Sequence, residues 1–411
     1  MPAKQRPDKK RRVFGDKIVS YDDAKRVAKR YLPQMIHDFI DGAAGRETAP
    51  MRNRAGFDAL TLQPRVLRNV SERSIATKLL GQSFDAPFGM APMGMCGLAY
   101  PGADRIMAEQ SVARNMPLGL STAASMTLED MRLCAGENAW FQLYASGSFE
   151  QTMSFVTRAK QAGYDKLILT VDVPQVSRRV RDLKNGFQVP FRIGPKQFLD
   201  FALHPRWSLS ILWQGVPEPE NYKHPSSGGF DRDSSRAGAD WDFLDQLRQF
   251  WPGQLIVKGV TSTKDARRIQ SVGADAIWVS NHGGRQLDSA PSSVAILSKI
   301  RAALDPAYPL IFDSGVRQGE DIVKALALGA NFVMLGRPVM FALAAGGGLG
   351  LGEYLDEMTS EVSATMAQIG ACSVSEITQE CLFAPEPASA HLTQDNISDI
   401  WTEQNKTGGH Q

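Results

Sequence analysis

The stretch Ser280-Asn281-His282-Gly283-Gly284-Arg285-Gln286-Leu287-Asp288 sets an ionisable base and a guanidinium three residues apart. Histidine titrates near neutrality and can take a proton. Arginine grips a carboxylate through two parallel hydrogen bonds. A base beside a carboxylate clamp is equipment for chemistry on a carbon next to a carboxylate. The two glycines permit a tight turn and close approach of a ligand to the backbone. The preceding run Ala276-Ile277-Trp278-Val279 is apolar and reads as a buried strand, so both groups fall at a strand end. A polar loop capping a helix is the blander reading; it suits a lone histidine better than it suits the whole string.

A strand end is useful only if a scaffold gathers several of them. Eight short apolar segments follow the first 85 residues, at 88–94, 117–122, 139–144, 166–172, 254–260, 276–282, 309–315 and 332–337. Most are separated by helix-like stretches such as 319–328. Alternation of short strands and helices implies parallel βαβ units, and eight of them imply an α/β fold, a (β/α)8 TIM barrel. Gln142, Tyr144, Thr170, Asp172, Lys258, His282, Asp313 and Arg337 all lie near the C-terminal ends of these segments. That rim is where barrel enzymes carry their chemistry.

About 80 residues separate the fourth segment from the fifth, which leaves a long insertion after strand 4 at about 180–240. Its part 198–213 mixes aromatic and aliphatic residues with Arg206, and Lys196 precedes it. This stretch is too short to span a bilayer but suited to lying on one, or to forming a lid over the barrel mouth. The two uses are compatible. The part 217–239 is rich in Pro, Gly and Ser and reads as loop. Before the barrel, 21–31 and 34–42 read as helices, the second ended by Gly42. The expected organisation is a basic tail with a helical segment (1–50), the barrel (51–385) and a C-terminal tail (386–411).

Composition narrows the function classes. With 43% hydrophobic and 22% charged residues the chain is globular, and a net charge of +2 argues against a nucleic-acid partner. Cys96, Cys134, Cys372 and Cys381 show no paired metal spacing and fit a reducing compartment, so no metal is expected. The basic start (Lys4, Arg6, Lys9, Lys10, Arg11, Arg12) has no apolar segment after it and does not read as a secretory signal. A solvated tail fits it best, with contact to an anionic membrane surface the alternative.

The string 280–288, together with Ala91-Pro92-Met93-Gly94, Phe141-Gln142-Leu143-Tyr144, Thr170-Val171-Asp172 and Val257-Lys258-Gly259, resembles the FMN-dependent α-hydroxy acid dehydrogenase/oxidase family. The resemblance covers roughly residues 20–380. It is strongest to the membrane-associated bacterial members, the mandelate and quinone-linked lactate dehydrogenases, through 204–209 and 121–126. It implies FMN as cofactor, a homo-oligomer (a tetramer, as in the family), and oxidation of an (S)-2-hydroxy acid to the 2-oxo acid. Hydride and carbanion routes remain equally open.

The resemblance also implies roles. His282 is the base, Asp172 orients it, Arg285 and Arg179 hold the substrate carboxylate, and Tyr144 stands beside them; Arg178 competes with Arg179 for its place. FMN chemistry needs a held phosphate, an oriented ring and a cation near N1. Asp313, Gly315 and Arg317, with Gly336 and Arg337, fit the phosphate, since they follow the last two strands. Met93, Gly94, Ser121, Gln142, Thr170 and Ser280 fit the ring, and Lys258 fits its N1 edge, with a salt bridge inside the barrel as the other use of Lys258.

Two positions refine the expectation, the first a departure from the family and the second a match to part of it. Phe39 stands where many relatives have a tyrosine that donates to the substrate carboxylate, which favours larger or aryl-bearing acids. Gly94 is the residue of many dehydrogenase-type members where several oxidases carry alanine. It favours electron transfer to a quinone or cytochrome over oxygen. An oxygen-using oxidase and a non-redox FMN barrel are the alternatives. The expected location is cytoplasmic, with peripheral contact at the inner face of the cytoplasmic membrane.

Overall fold

The computed structural model describes residues 17–188, 191–231 and 234–383. The basic stretch up to Arg12 and the tail 386–411 lie outside the described residues. A hairpin, β1 (Thr77–Leu79) and β2 (Gln82–Phe84), turns through Leu80 and Gly81, both at positive φ. That turn suits the right-handed twist of two-residue hairpins. Eight parallel strands follow: β3 (Phe88–Met93), β4 (Leu118–Ser121), β5 (Ala139–Leu143), β6 (Lys166–Thr170), β7 (Gln254–Val260), β8 (Ala276–Val279), β9 (Leu310–Phe312) and β10 (Phe332–Leu335). β10 pairs with β3 and closes the barrel.

The strands are largely apolar because both faces are covered. Trp140, Ile168, Ile256, Trp278, Ile311 and Phe332 share one buried cluster with Phe84 of the hairpin, inside the barrel. Their neighbours Phe141, Leu167, Leu255, Ile277, Leu310 and Val333 join a second, larger cluster with the helices outside. Alternation is therefore present although hydropathy alone hides it. The Phe84 ring meets Trp140 and Phe332 edge-on, so the hairpin stops the barrel at the end opposite the site. Truncating a side chain as buried as Trp140 costs about 3–5 kcal/mol.

The segment before the barrel holds helices Tyr21–Tyr31, Gln34–Asp41 and Thr48–Asp58. Ser20 caps the first through the Asp23 amide. The third was not apparent in the sequence, where Pro50 and Gly56 interrupt the helical pattern. The last helical run, Arg337–Gln368, packs on Tyr21–Tyr31 and breaks at Gly346 and Gly347. A Cβ on Gly347 would stand 2.6 Å from the Tyr100 ring, which excludes a side chain there.

Between β6 and β7 the chain forms helices Val180–Asn185, Pro195–Leu203 and Pro205–Gln214, then short turns, then Trp241–Phe250. Trp207 and Ile211 anchor the Pro205–Gln214 helix, and the Trp207 indole N–H donates to the Leu98 carbonyl at 2.8 Å. Ile193, Phe198, Leu199, Leu203, Leu209, Leu212 and Trp213 point outward, with Trp213 91% exposed. No helix among the described residues is long and apolar enough to cross a membrane.

Candidate active site

A cavity opens at the C-terminal rim of the barrel. Met93 at the end of β3, Gly94 just after it, Ser121 of β4, Tyr144 after β5 and Arg179 after β6 line it. Lys258 of β7, His282 and Arg285 after β8, Asp313, Gly315 and Arg317 after β9, and Gly336 and Arg337 after β10 complete the ring, with Phe39 from the N-terminal segment. Asp172, Ser280, Gln142 and Thr170 are not part of the lining. Asp172 and Ser280 hydrogen-bond residues that are, while Gln142 and Thr170 pair in register with Ser121 and Lys258. Arg178 is exposed, whereas Arg179 turns inward.

The His282 Nδ1 lies 3.0 and 3.2 Å from the two carboxylate oxygens of Asp172. That contact makes Nδ1 the protonated nitrogen and leaves Nε2 to take a proton. Burial pulls the imidazole below its ordinary 6.5, and Asp172 opposes this without cancelling it. Burial also pushes the Asp172 carboxyl up, but His282 and Lys258 outweigh it, so Asp172 stays ionised. β7 bulges between Lys258 and Val260 to admit this pair. Gly259 sits in the bulge at φ +104, and a Cβ there would lie 2.6 Å from the Asp172 side chain.

Lys258 lines the cavity and also forms the salt bridge inside the barrel. Its Nζ is 3.1 Å from Asp313 Oδ2 and donates to Ser280 Oγ at 3.0 Å. Burial acts to lower its pKa, but Asp313 and Asp172 raise it on balance, so the ammonium persists. Ser280 in turn donates to Asp313 and accepts the His282 amide at 3.0 Å. Asp313 thus serves the lysine, a placement that its position in a glycine–arginine motif did not indicate.

The two glycines of the signature make room for protein neighbours, and Gly283 also lines the cavity. A Cβ on Gly283 would fall 2.6 Å from Arg337, and one on Gly284 would fall 2.5 Å from Pro50. His282 itself adopts φ +57, a region unfavourable to side chains and tolerated where the surroundings hold it. Asp288 accepts the amides of Arg46, Thr48 and Ala49 at 2.9, 2.6 and 3.0 Å. It caps the Thr48–Asp58 helix from across the fold, because that helix has no side-chain cap of its own.

The free carbonyls at the end of the Gln34–Asp41 helix attract two guanidiniums. Arg285 donates to the carbonyls of Phe39 and Gly42, both at 2.9 Å. Arg337 donates to those of Ile40, Gly42 and Gly283 at 3.1, 2.8 and 2.8 Å. Burial, then Arg317, pulls Arg337 down to about 10, which still leaves it charged at neutral pH. The Arg317 guanidinium lies 4.2 Å from the Tyr21 ring centre. The Phe39 ring stacks on Phe187 at 4.3 Å and has the Arg285 guanidinium at 5.3 Å.

Gln142 Nε2 and Thr170 Oγ1 are buried with no hydrogen-bond partner among the described residues. Buried polar atoms normally have partners. A planar ring with its own donors and acceptors, placed against them and Lys258, supplies such partners. Arg317, Arg337 and the open backbone of Gly336 suit a phosphate dianion at the other end. The residues fit FMN.

Sequence reasoning missed four residues here. Arg181 bonds Glu47 at 2.8 Å, Asp38 at 3.0 Å and Asp41 at 3.1 Å, tying the insertion to the N-terminal helix beside Phe39. Phe187, Phe230 and Arg236 also line the cavity from the insertion. No motif marks them, since each reaches the site through loop geometry.

A closed barrel with carboxylate, imidazole, ammonium and guanidinium groups gathered at its C-terminal rim defines a (β/α)8 enzyme. Residues 28–384 match the family model for FMN-dependent dehydrogenases, and the chain belongs to that family. It is 36% identical over 372 residues to (S)-mandelate dehydrogenase of Pseudomonas putida, covering 89% of this chain and 94% of the relative. It is 36% identical over 380 residues to an L-lactate dehydrogenase of Azorhizobium caulinodans, covering 89% and 98%. The crystal structure of the monotopic membrane protein (S)-mandelate dehydrogenase superposes with a TM-score of 0.86 at 36% identity, covering 90% of this chain and all (100%) of the other. A mandelate oxidase structure superposes with a TM-score of 0.76 at 32% identity, covering 89% and 98%. The chain is an FMN-dependent α-hydroxy acid dehydrogenase.

Proposed function

We propose that the enzyme oxidises (S)-2-hydroxy acids with larger or aryl side chains at the rim cavity, and that it passes the electrons to a quinone or cytochrome at a membrane surface. The observation that carries this reading is the convergence of the His282–Asp172 pair with Arg179, Arg285 and Tyr144 on one cavity whose other wall holds Lys258.

Bound FMN supplies the two-electron acceptor. Arg285 and Arg179 hold the substrate carboxylate and so fix which hydrogen-bearing carbon faces the base. His282 takes a proton at Nε2, and ionised Asp172 stabilises the imidazolium that results. Tyr144, enclosed in the wall, offers its hydroxyl as a donor to the bound acid. Lys258 places a permanent cation where negative charge develops in the reaction, and Asp313 keeps it charged. The stacked rings of Phe39 and Phe187 give the side-chain end an apolar wall, which favours an aryl group over a hydrogen or methyl.

The location follows from the insertion. Six outward apolar side chains on two short helices and Ile193 just before them, with Arg192, Lys196 and Arg206 exposed among them, are the composition of an interfacial patch. The monotopic membrane relative supports this reading for the present chain. The test is anaerobic flavin bleaching across glycolate, L-lactate, (S)-mandelate and longer-chain acids. Fast bleaching by the aryl acid and slow bleaching by glycolate are expected; the reverse order overturns the substrate assignment. Likeness to a mandelate oxidase motivates a parallel oxygen arm. Rapid reoxidation by air alone would replace the quinone or cytochrome acceptor with oxygen.

A further inference from the structure

Arg236 belongs to the stretch between the interfacial helices and the Trp241–Phe250 helix. None of the motifs that mark the site includes it. Its backbone N–H donates to the Pro174 carbonyl at 2.9 Å, in the loop after β6 that also carries Arg179. The side chain is buried at 9% exposure and lines the rim cavity. Its guanidinium carbon lies 4.9 Å from the centre of the Tyr144 ring. An arginine fixed over an aromatic face is attracted by the ring quadrupole, most strongly where water is excluded. A phenol under a cation is also a stronger hydrogen-bond donor, because positive charge draws density from its oxygen.

The neighbours limit what this contact can mean. Tyr222 presses on the same region, and its hydroxyl shares a 3.0 Å hydrogen bond with Ser146, two residues beyond Tyr144. The Phe230 ring meets Tyr222 edge-on at 5.2 Å. The insertion therefore holds the loop after β5 from one side through Tyr222 and holds the Tyr144 ring from its face through Arg236.

We propose that Arg236 is a positioning residue for the reaction: it locks the Tyr144 ring from its face, so that the hydroxyl is presented as a donor to the bound hydroxy acid. The inference rests on Tyr144 being part of the substrate site, as proposed above. It makes the insertion a contributor to turnover as well as to location.

The test uses the FMN-loaded full-length protein and anaerobic stopped-flow reduction by (S)-mandelate. Arg236→Met keeps bulk and removes charge; it should slow reduction about tenfold, the scale of a desolvated cation–π contact. Arg236→Lys keeps a cation over the ring and should stay within about threefold. Melting temperature and flavin content should match the parent in both. In a Tyr144→Phe background, Arg236→Met should have no further effect, since the hydroxyl it presents is gone. Equal slowing by Met and Lys, or full additivity of Arg236→Met with Tyr144→Phe, overturns the proposal. Tyr144→Phe alone separates the two readings. If it slows reduction while Arg236→Met does not, the site reading stands and the Arg236 role falls. If it leaves reduction unchanged, both fall.

Discussion

The barrel rim and the two segments that cover it are built on opposite principles. On the rim, charged groups are buried and satisfied by one another: Lys258 by Asp313, His282 by Asp172. In the covers, the N-terminal helices and the insertion, apolar groups are turned both ways. Phe39, Phe187 and Phe230 face the cavity, while Leu212 and Trp213 face solvent at 79% and 91% exposure. Buried ion pairs demand good geometry, because an unpaired partner is costly. Apolar walls tolerate exchange, because a methylene of contact is worth only about 1–3 kcal/mol. The rim is thus suited to fixed chemistry, and the covers to choosing the acid and the location. If that division is right, rim changes should abolish reduction in an intact fold, and cover changes should alter selectivity or partitioning while reduction persists.

The largest effect should follow from His282→Ala. General-base catalysis contributes about 10²–10⁴-fold, so flavin reduction should fall by that factor while FMN stays bound. Near-normal reduction would move the base elsewhere. The same residue sets the pH profile. The active form is neutral imidazole, and burial lowers its pKa. Half-protonation then falls below pH 6.5, so the midpoint of the acid limb of kcat/KM should lie below 6.5. Asp172→Asn removes the influence that opposes the shift, and the acid limb should move lower still. A limb above 6.5 in the parent would contradict the burial argument.

Next comes location. Leu203, Leu212 and Trp213 are exposed on the two insertion helices. Each large apolar side chain adds about 1.5–3 kcal/mol when it leaves water. Replacing all three by serine should cut co-sedimentation with anionic liposomes by at least about a hundredfold. Reduction of a soluble dye should remain near the parent rate. Unchanged sedimentation would remove the interfacial reading of this face, and lost dye reduction would break the division between rim and cover.

The tie between the covers ranks third. Arg181 holds Glu47, Asp38 and Asp41 together and is itself about a third exposed at 30%. Arg181→Met should destabilise the fold by about 1–3 kcal/mol, the range between exposed and buried pairs. Burial works to raise the Asp38 carboxyl, but His37, Gln34, Asn185 and Arg181 lower it overall. A depressed carboxylate contributes stability above its unfolded value of 3.8, and the contribution is lost as pH falls below it. Thermal melts should therefore show a smaller loss of stability below pH 4 in the variant than in the parent.

The pattern of what the sequence revealed follows the same division. The barrel and its rim were readable because each strand carries its own apolar run and ends in its own polar group, as in Thr170 or Lys258. Local order in the chain is local order in space. Asp288 capping a helix 240 residues away, or Asp313 turning to Lys258, depends on which strands become neighbours. Phe187, Phe230 and Arg236 sit in a region with no period, and only the folded path brings them to the cavity. Gly283 and Gly284 were recognisable as sites of close approach, but their protein neighbours Arg337 and Pro50 appear only in the fold.

The smallest and most discriminating effect belongs to Phe39→Tyr. The ring stacks on Phe187 in a wall that carries no donor, with Arg285 over its other side. A hydroxyl added there has two fates. With glycolate or lactate bound, the side-chain end leaves room for water, and the hydroxyl stays solvated or donates to the carboxylate. With an aryl acid bound, water is displaced, and the hydroxyl must find the carboxylate or lie unpaired against the substrate ring. An unpaired buried hydroxyl costs about 1–3 kcal/mol and a net hydrogen bond returns about 1 kcal/mol. The ratio of kcat/KM for mandelate to that for lactate should therefore drop about three- to tenfold, with neither substrate excluded. Steady-state measurement on both forms decides it. An unchanged ratio would mean that position 39 contacts only the carboxylate shared by all these acids, and the choice of side chain would then pass to Phe187 and Phe230 on the opposite cover.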